Sequence, residues 1–360
     1  MSGLDDPCLL SGSADRREVT IAMTGLLKLT LKLVGWVLGV LVLLLGGGAA
    51  YLLMQVAEAP DIEARKGELA AVEPLGTRRL PDGMLHELRL HSTAGFSLGL
   101  ALRVPDEPLP GRPLAVMMVG NETGEAAATM LPETEGLTIA ALGYPFEVIP
   151  HRNMFAFTAS LPQIQRGILD TPSAVLLALD YLLSRDDLTP EWTELVGISF
   201  GAFLVSVPGA LDTRVDRVWL VHGSADAAAV LEYGLEDRVA WPWLRRGFAD
   251  FLAEIAGNGH FSPESWVGRI SPRPVIVVSA LEDRALPPAA VAALHEAARP
   301  PREVIWTEGD HVHPKRPETV ENLARLVLDK VKEAVRGGSG AVRPDALGSW
   351  RHHPPDERAS

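Results

Sequence analysis

The stretch "TELVGISFGAF", Thr193 to Phe203, decides how this chain is read. An apolar run ends in Gly197-Ile198-Ser199-Phe200-Gly201, a G-x-S-x-G, and a second run suited to a helix, "AFLVSV", begins at once. Alone, the five-residue pattern is a weak signal, because glycine and serine are common enough to produce it by chance. Its setting gives it weight. A serine on a sharp strand-to-helix turn needs small neighbours, since the backbone is strained there and other chain packs closely against it. Such a turn lifts the hydroxyl above the carboxyl edge of a sheet and aims the first amides of the helix at an anion. Ser199 is therefore the candidate nucleophile.

Outward from this turn, short runs rich in Val, Ile and Leu alternate with longer segments at helical spacing, the pattern of an α/β fold with a mostly parallel sheet. Strands are expected at 84–90, 97–104, 113–120, 136–142, 193–199, 217–223, 273–280 and 302–309, and helices at 161–185, 288–298 and 318–335. The first two strands carry alternating polar residues, which suits an antiparallel edge.

A serine hydroxyl is a poor nucleophile until a base takes its proton, and the base works best when a carboxylate fixes its tautomer. Such a site needs an acid and then a histidine, each just past a later strand. "LEDRALP", 281–287, follows the strand at 273–280, and "DHVHP", 310–314, follows the one at 302–309. The order serine, acid, histidine is the one this architecture uses. Glu282 or Asp283 can supply the acid, and His311 or His313 the base. His222, in "LVHGSAD", reads as lining the site or filling the core, and His86, His91 and His151 have no partner visible in the sequence.

Over residues 85–335 the chain resembles the α/β-hydrolase superfamily, and within it the dienelactone-hydrolase-like and prolyl-oligopeptidase-like branch. The resemblance rests on "GISFG" after a strand, "SALEDRALPP" with its Asp-x-x-x-Pro, and "EGDHVH" before a terminal helix. It implies an α/β-hydrolase sandwich, a mostly parallel central sheet with helices on both faces. Its site would hold Ser199 as nucleophile, Asp283 as acid and His311 as base, with no metal and no organic cofactor. The implied activity is cleavage of a carboxylic ester or thioester through an acyl-enzyme. Epoxide- and halide-processing relatives generally carry a carboxylate where this chain has Ser199.

The resemblance also implies an oxyanion hole of two backbone amides. One would come from Phe200 and the other from the loop "VGNETGEA", at Asn121 or Glu122, where the family often has His-Gly and this chain has Gly120-Asn121-Glu122. Two other functions stay open at this point. One is a serine peptidase of the prolyl-oligopeptidase type, although the propeller domain often found in that branch has no counterpart in these residues. The other is a non-catalytic, membrane-anchored binding module on the same fold.

Residues 224–272 form an insertion too long for an ordinary connection and read as a small helical cap. Its Trp241, Trp243, Phe248 and Phe251 would either line a substrate pocket or pack the cap onto the sheet.

The chain's 47% hydrophobic residues suffice for a large core, and its formal net charge of -13 argues against nucleic acid as a partner. A small-molecule ester or acyl compound fits better. Cys8 is the single cysteine, so the chain forms no internal disulfide and no thiolate metal cluster. Leu33 to Met54 is uncharged and long enough to span a bilayer. Lys28 and Lys32 precede it and Glu58 and Asp61 follow, which predicts a cytoplasmic N-terminus and an extracytoplasmic body. A cleaved signal peptide ending near Ala57-Glu58-Ala59 is the rival reading.

The expected organisation is a polar segment at 1–25, with Met23 as an alternative start, and an anchor at 26–56. A linker at 57–74, the hydrolase domain at 75–336 and a disordered tail at 337–360 follow. His352 and His353 belong to that tail and read as solvated rather than metal-binding.

Overall fold

A computed structural model describes residues 11–120, 123–146, 154–313 and 315–336. They fall into two units, Met1–Ala57 and Glu58–Ser360. In the first, α1 (Ser11–Met54) runs as one helix through the polar segment set apart above, since no proline interrupts it. Its Lys28–Met54 portion, 27 residues with a mean hydropathy of 2.3, is long and apolar enough to cross a membrane. At 1.5 Å per residue it would span about 40 Å, against a hydrocarbon layer of about 30 Å. A signal sequence near an N-terminus meets the same description.

The second unit begins with α2 (Ile62–Lys66), β1 (Leu69–Leu80), β2 (Gly83–Ser92), β3 (Ser97–Pro105) and β4 (Leu114–Val119). Next come α3 (Glu125–Ala128), β5 (Thr138–Leu142), α4 (Met154–Leu183), β6 (Thr193–Ile198), α5 (Phe200–Leu211) and β7 (Arg217–Val221). The insertion holds α6 (Ala227–Gly234), α7 (Pro242–Ile255), α8 (Asn258–Phe261) and α9 (Pro263–Trp266). The chain then forms β8 (Val275–Ala280), α10 (Pro288–Ala297), β9 (Arg302–Thr307) and α11 (Pro317–Arg336).

Among the described residues, nine strands make one sheet in the order β1-β2-β3-β5-β4-β6-β7-β8-β9. From β5 to β9 every neighbouring pair is parallel, while β1, β2 and β3 join antiparallel at one edge. Every residue of β6, β7 and β8 is buried because both faces are covered, which is why these strands read as mostly apolar runs; the buried charges among them, Glu194 of β6 and Arg217 of β7, pair at 2.5 Å. Successive side chains leave a strand on opposite faces. Val196 and Ile198 therefore join Ala127 of α3 and Leu323 of α11 in one core cluster, while Gly197 packs against α5 on the other face.

Residues 57–74, expected as a linker, instead hold α2 and the first half of β1. β1 pairs only with β2 and is exposed along most of its length, so it needs no apolar alternation and gave none to read. The charges taken for a linker's are partly engaged. Arg65 meets Asp170 at 2.5 Å and Lys66 meets Asp180 at 3.0 Å, both on α4, and Ser173 donates to the Ile62 carbonyl at 2.8 Å. Each such ion pair contributes up to about 1 kcal/mol.

Candidate active site

Ser199 occupies the turn between β6 and α5 with φ 56° and ψ -121°, a sparsely populated conformation costing about 1–3 kcal/mol. The neighbouring chain holds it there. Its N–H donates to Val221 of β7 at 2.9 Å, extending the parallel pairing one residue past the strand. The glycines on either side have no room for a side chain: a Cβ on Gly201 would strike the Met118 carbonyl, and one on Gly197 would strike a Val205 methyl. The sequence pattern thus has a steric cause. Gly120, at the end of β4, is less tightly confined: a Cβ there would lie 3.0 Å from the Phe200 nitrogen and 3.2 Å from the Ser199 Cβ.

A hydrogen-bonded chain leads away from the hydroxyl. Ser199 Oγ is 2.8 Å from His311 Nε2, and His311 Nδ1 is 2.8 Å from Asp283 Oδ2. The other carboxylate oxygen of Asp283 accepts from the amides of Ala285 at 2.9 Å and Leu286 at 3.0 Å. Burial pushes the Asp283 carboxyl up, but His311 and these two amides outweigh it and hold the group below its usual range. An ionised Asp283 places the imidazole proton on Nδ1, leaving the Nε2 lone pair facing the serine. Glu282 and His313, the alternatives, are both exposed. His313 Nδ1 accepts from the amide of Lys315 at 3.1 Å instead.

Two residues that the sequence reading gave no such part steady the loop carrying His311. Asp310 Oδ1 accepts from the amide of Arg284 at 2.9 Å and from that of His311 at 2.7 Å, so one carboxylate ties the acid loop to the base loop. The Arg284 amide, with help from His311 and Arg316, brings the Asp310 carboxyl down to about 2. His222, almost fully buried, takes a positive φ of 48° just past β7. Its Nδ1 accepts the Val312 N–H at 2.8 Å, and its Nε2 lies 3.3 Å from Thr307 Oγ1. Burial and the nearby His311 pull its pKa down to about 4, so it is a neutral ring at neutral pH.

His222, Asp283 and His311 each present a donor atom within 4.8 Å of one another. That set is poorly placed for a metal. Both nitrogens of His311 and of His222 are already engaged, and with Nδ1 accepting, the Nε2 of the neutral His222 carries the ring proton, leaving carboxylate lone pairs. His86 bonds Thr77, and His91 bonds Glu73 and Ser97, away from this chain of contacts. His151 lies outside the described residues, as do Cys8, the pair His352-His353 and the 337–360 tail. So do Asn121 and Glu122, expected to give the second oxyanion amide. Phe200, the expected first donor, is the first residue of α5, where an amide has no partner within the helix.

Ser199, His222 and His311 line a cavity of about 390 Å³. Its walls come from α4, α5, α6 and α7, and no described lining residue is charged. The cap aromatics, read as either lining a pocket or packing the cap onto the sheet, do not line it. Trp241 and Trp243 are 64% and 73% exposed, Phe248 also faces outward, and Phe251 is not among the lining residues. Leu252, Ala253, Ile255 and Ala256 from the same helix end take that place. On α7, bulky Trp243 and Phe248 sit on the outer side and small or aliphatic residues on the inner one.

No protein-family model matches the sequence, and no curated protein matches it. Solved structures do resemble the fold. Acetyl xylan esterase 1 from Thermoanaerobacterium sp. JW/SL YS485 superposes with a TM-score of 0.54 at 13% identity, covering 79% of this chain and 93% of that one. An acetyl xylan esterase from Paenibacillus sp. R4 superposes with a TM-score of 0.52 at 15% identity, covering 73% of this chain and 90% of that one. At these identities the likeness is one of fold: the chain has the α/β-hydrolase fold.

Proposed function

We propose that the chain is a serine hydrolase that cleaves a carboxylic ester, or thioester, through an acyl-enzyme on Ser199. The observation that carries this reading is the run of contacts from Ser199 to His311 to Asp283 at a strained turn bordering a cavity. His311 takes the Ser199 proton as Oγ bonds to the ester carbonyl carbon. The carbonyl oxygen becomes an oxyanion held by the Phe200 amide and by the second amide expected from Asn121. The carbon–oxygen bond to the alcohol then breaks and the alkoxide leaves with the proton from His311. Water repeats the sequence, giving up its proton to His311, and releases the carboxylic acid and free Ser199. The ester-cleaving names of the two structural neighbours accord with this chemistry.

The Lys28–Met54 helix would hold the enzyme to a membrane, and Lys28 and Lys32 on one side with Glu58 and Asp61 on the other favour an extracytoplasmic body. The test is hydrolysis of p-nitrophenyl esters by the full chain in detergent. Ser199→Ala is expected to lower turnover by at least about 10⁴-fold. Turnover that survives the substitution would exclude the reading.

A further inference from the structure

We propose that the cavity beside Ser199 is an acyl-chain site, and that the enzyme prefers esters of medium-length, unbranched fatty acids over acetyl, sugar-acetyl or aminoacyl esters. This rests on the serine-hydrolase reading above and adds the substrate class. Size is the first reason. If a methylene takes about the volume of a water molecule, ~30 Å³, then the cavity of about 390 Å³ holds on the order of a dozen chain atoms. An acetyl group would leave most of it unfilled.

Chemistry is the second. The walls are aliphatic and aromatic, among them Leu161, Ile164, Ile168, Leu231, Leu252 and Ile255. Apart from Ser199, His222 and His311, the polar side chains lining it are Gln165 and Ser224. Gln165 is 3% exposed and donates its amide N–H to the Ile255 carbonyl at 3.0 Å, so it braces α4 against α7 and is not offered to a ligand. No described carboxylate lines the cavity to receive an aminoacyl ammonium, and little is present to bond sugar hydroxyls. A polar ligand would lose its water there without compensation.

The order of events assigns the cavity to the acyl side. The alcohol must depart and water must replace it before the acyl-enzyme resolves, so the leaving side has to open to solvent. A space walled by four helices suits the part that stays bonded to Ser199 Oγ throughout.

The experiment compares two ester series on the full chain, p-nitrophenyl acetate through dodecanoate and the isomeric pair methyl decanoate and nonyl acetate. Each buried methylene is expected to raise kcat/KM up to about fourfold, so decanoate should exceed acetate by at least about 100-fold before the gain levels off. Methyl decanoate should be cut faster than nonyl acetate. Ala253→Phe and, separately, Ile168→Trp fill the cavity and should each lower the decanoate-to-acetate ratio at least about tenfold. Because the ratio is compared between variants in the same detergent, partitioning of the long ester into micelles cancels. Labelling of Ser199 by a small fluorophosphonate confirms that each variant is folded. Equal rates across the series, faster cleavage of nonyl acetate, or labelled variants with an unchanged ratio would overturn the acyl-chain site while leaving the hydrolase intact. Absence of both labelling and cleavage of any ester would remove the hydrolase reading itself.

Discussion

Ser199 and Leu252 border the same cavity on two kinds of scaffold. Ser199 stands on a turn fixed by backbone contacts, with Met118 and Val205 packed so closely that glycine alone fits at Gly201 and Gly197, and Phe200 pressing close on Gly120. Leu252 stands on α7, which is held by side-chain packing along one face and carries Trp243 and Phe248 outward on the other. A Cβ on Gly247 of that helix would meet nothing within 4 Å. The contrast separates two duties. Under the proposed function the rigid turn would set the reaction, and the more accommodating helix would set what fills the space beside it.

The largest expected effect tests the rigid side. Asp283→Asn leaves the fold in place but holds His311 in the wrong tautomer, and kcat should fall by about 10⁴-fold in steady-state ester hydrolysis. A loss below tenfold would mean that Asp283 does not orient the base. Next comes Gly201→Ala, whose methyl meets the Met118 carbonyl and should cost on the order of 3 kcal/mol in urea unfolding, with activity lost alongside. A midpoint unchanged from wild type would show that the turn is not sterically locked.

The third effect is pH dependence. Folded His222 titrates near 4, whereas an unfolded histidine titrates near 6.5, so between those values the unfolded chain binds more protons. Stability should therefore fall as pH drops from about 6.5 to 4, by about 3 kcal/mol, and His222→Gln should flatten that slope even if it lowers stability overall. A slope unaltered by the substitution would assign it elsewhere. The smallest effect lies on the accommodating side: Gly247→Ala on α7 should raise stability by about 1 kcal/mol with activity unchanged. A destabilisation there would mean that α7 is packed as tightly as the turn.

Legibility in the sequence followed the same division. Elements buried on both faces, such as β6 and β8, are mostly apolar and announce themselves, and a turn that excludes side chains leaves its glycines in the sequence. The spacing of Ser199, Asp283 and His311 past successive parallel strands was readable for that reason, and the structure brings the three together. β1 was missed because an exposed edge strand needs no apolar pattern. The tie of Asp310 to Arg284 depends on two loops 26 residues apart in sequence meeting in space, which no local signal reports. The inner and outer sides of α7 were confused because large aromatics weigh most in any reading of hydrophobicity, yet here Trp241 and Trp243 face outward.

The most direct measurement is active-site labelling of the full chain in detergent with a fluorophosphonate, followed by digestion and mass spectrometry of the modified peptide. The expected result is a single adduct on Ser199 within "GISFG", lost in Ser199→Ala and strongly slowed in Asp283→Asn. No adduct at all, or one that persists in Ser199→Ala, would contradict the assignment of Ser199 as the nucleophile.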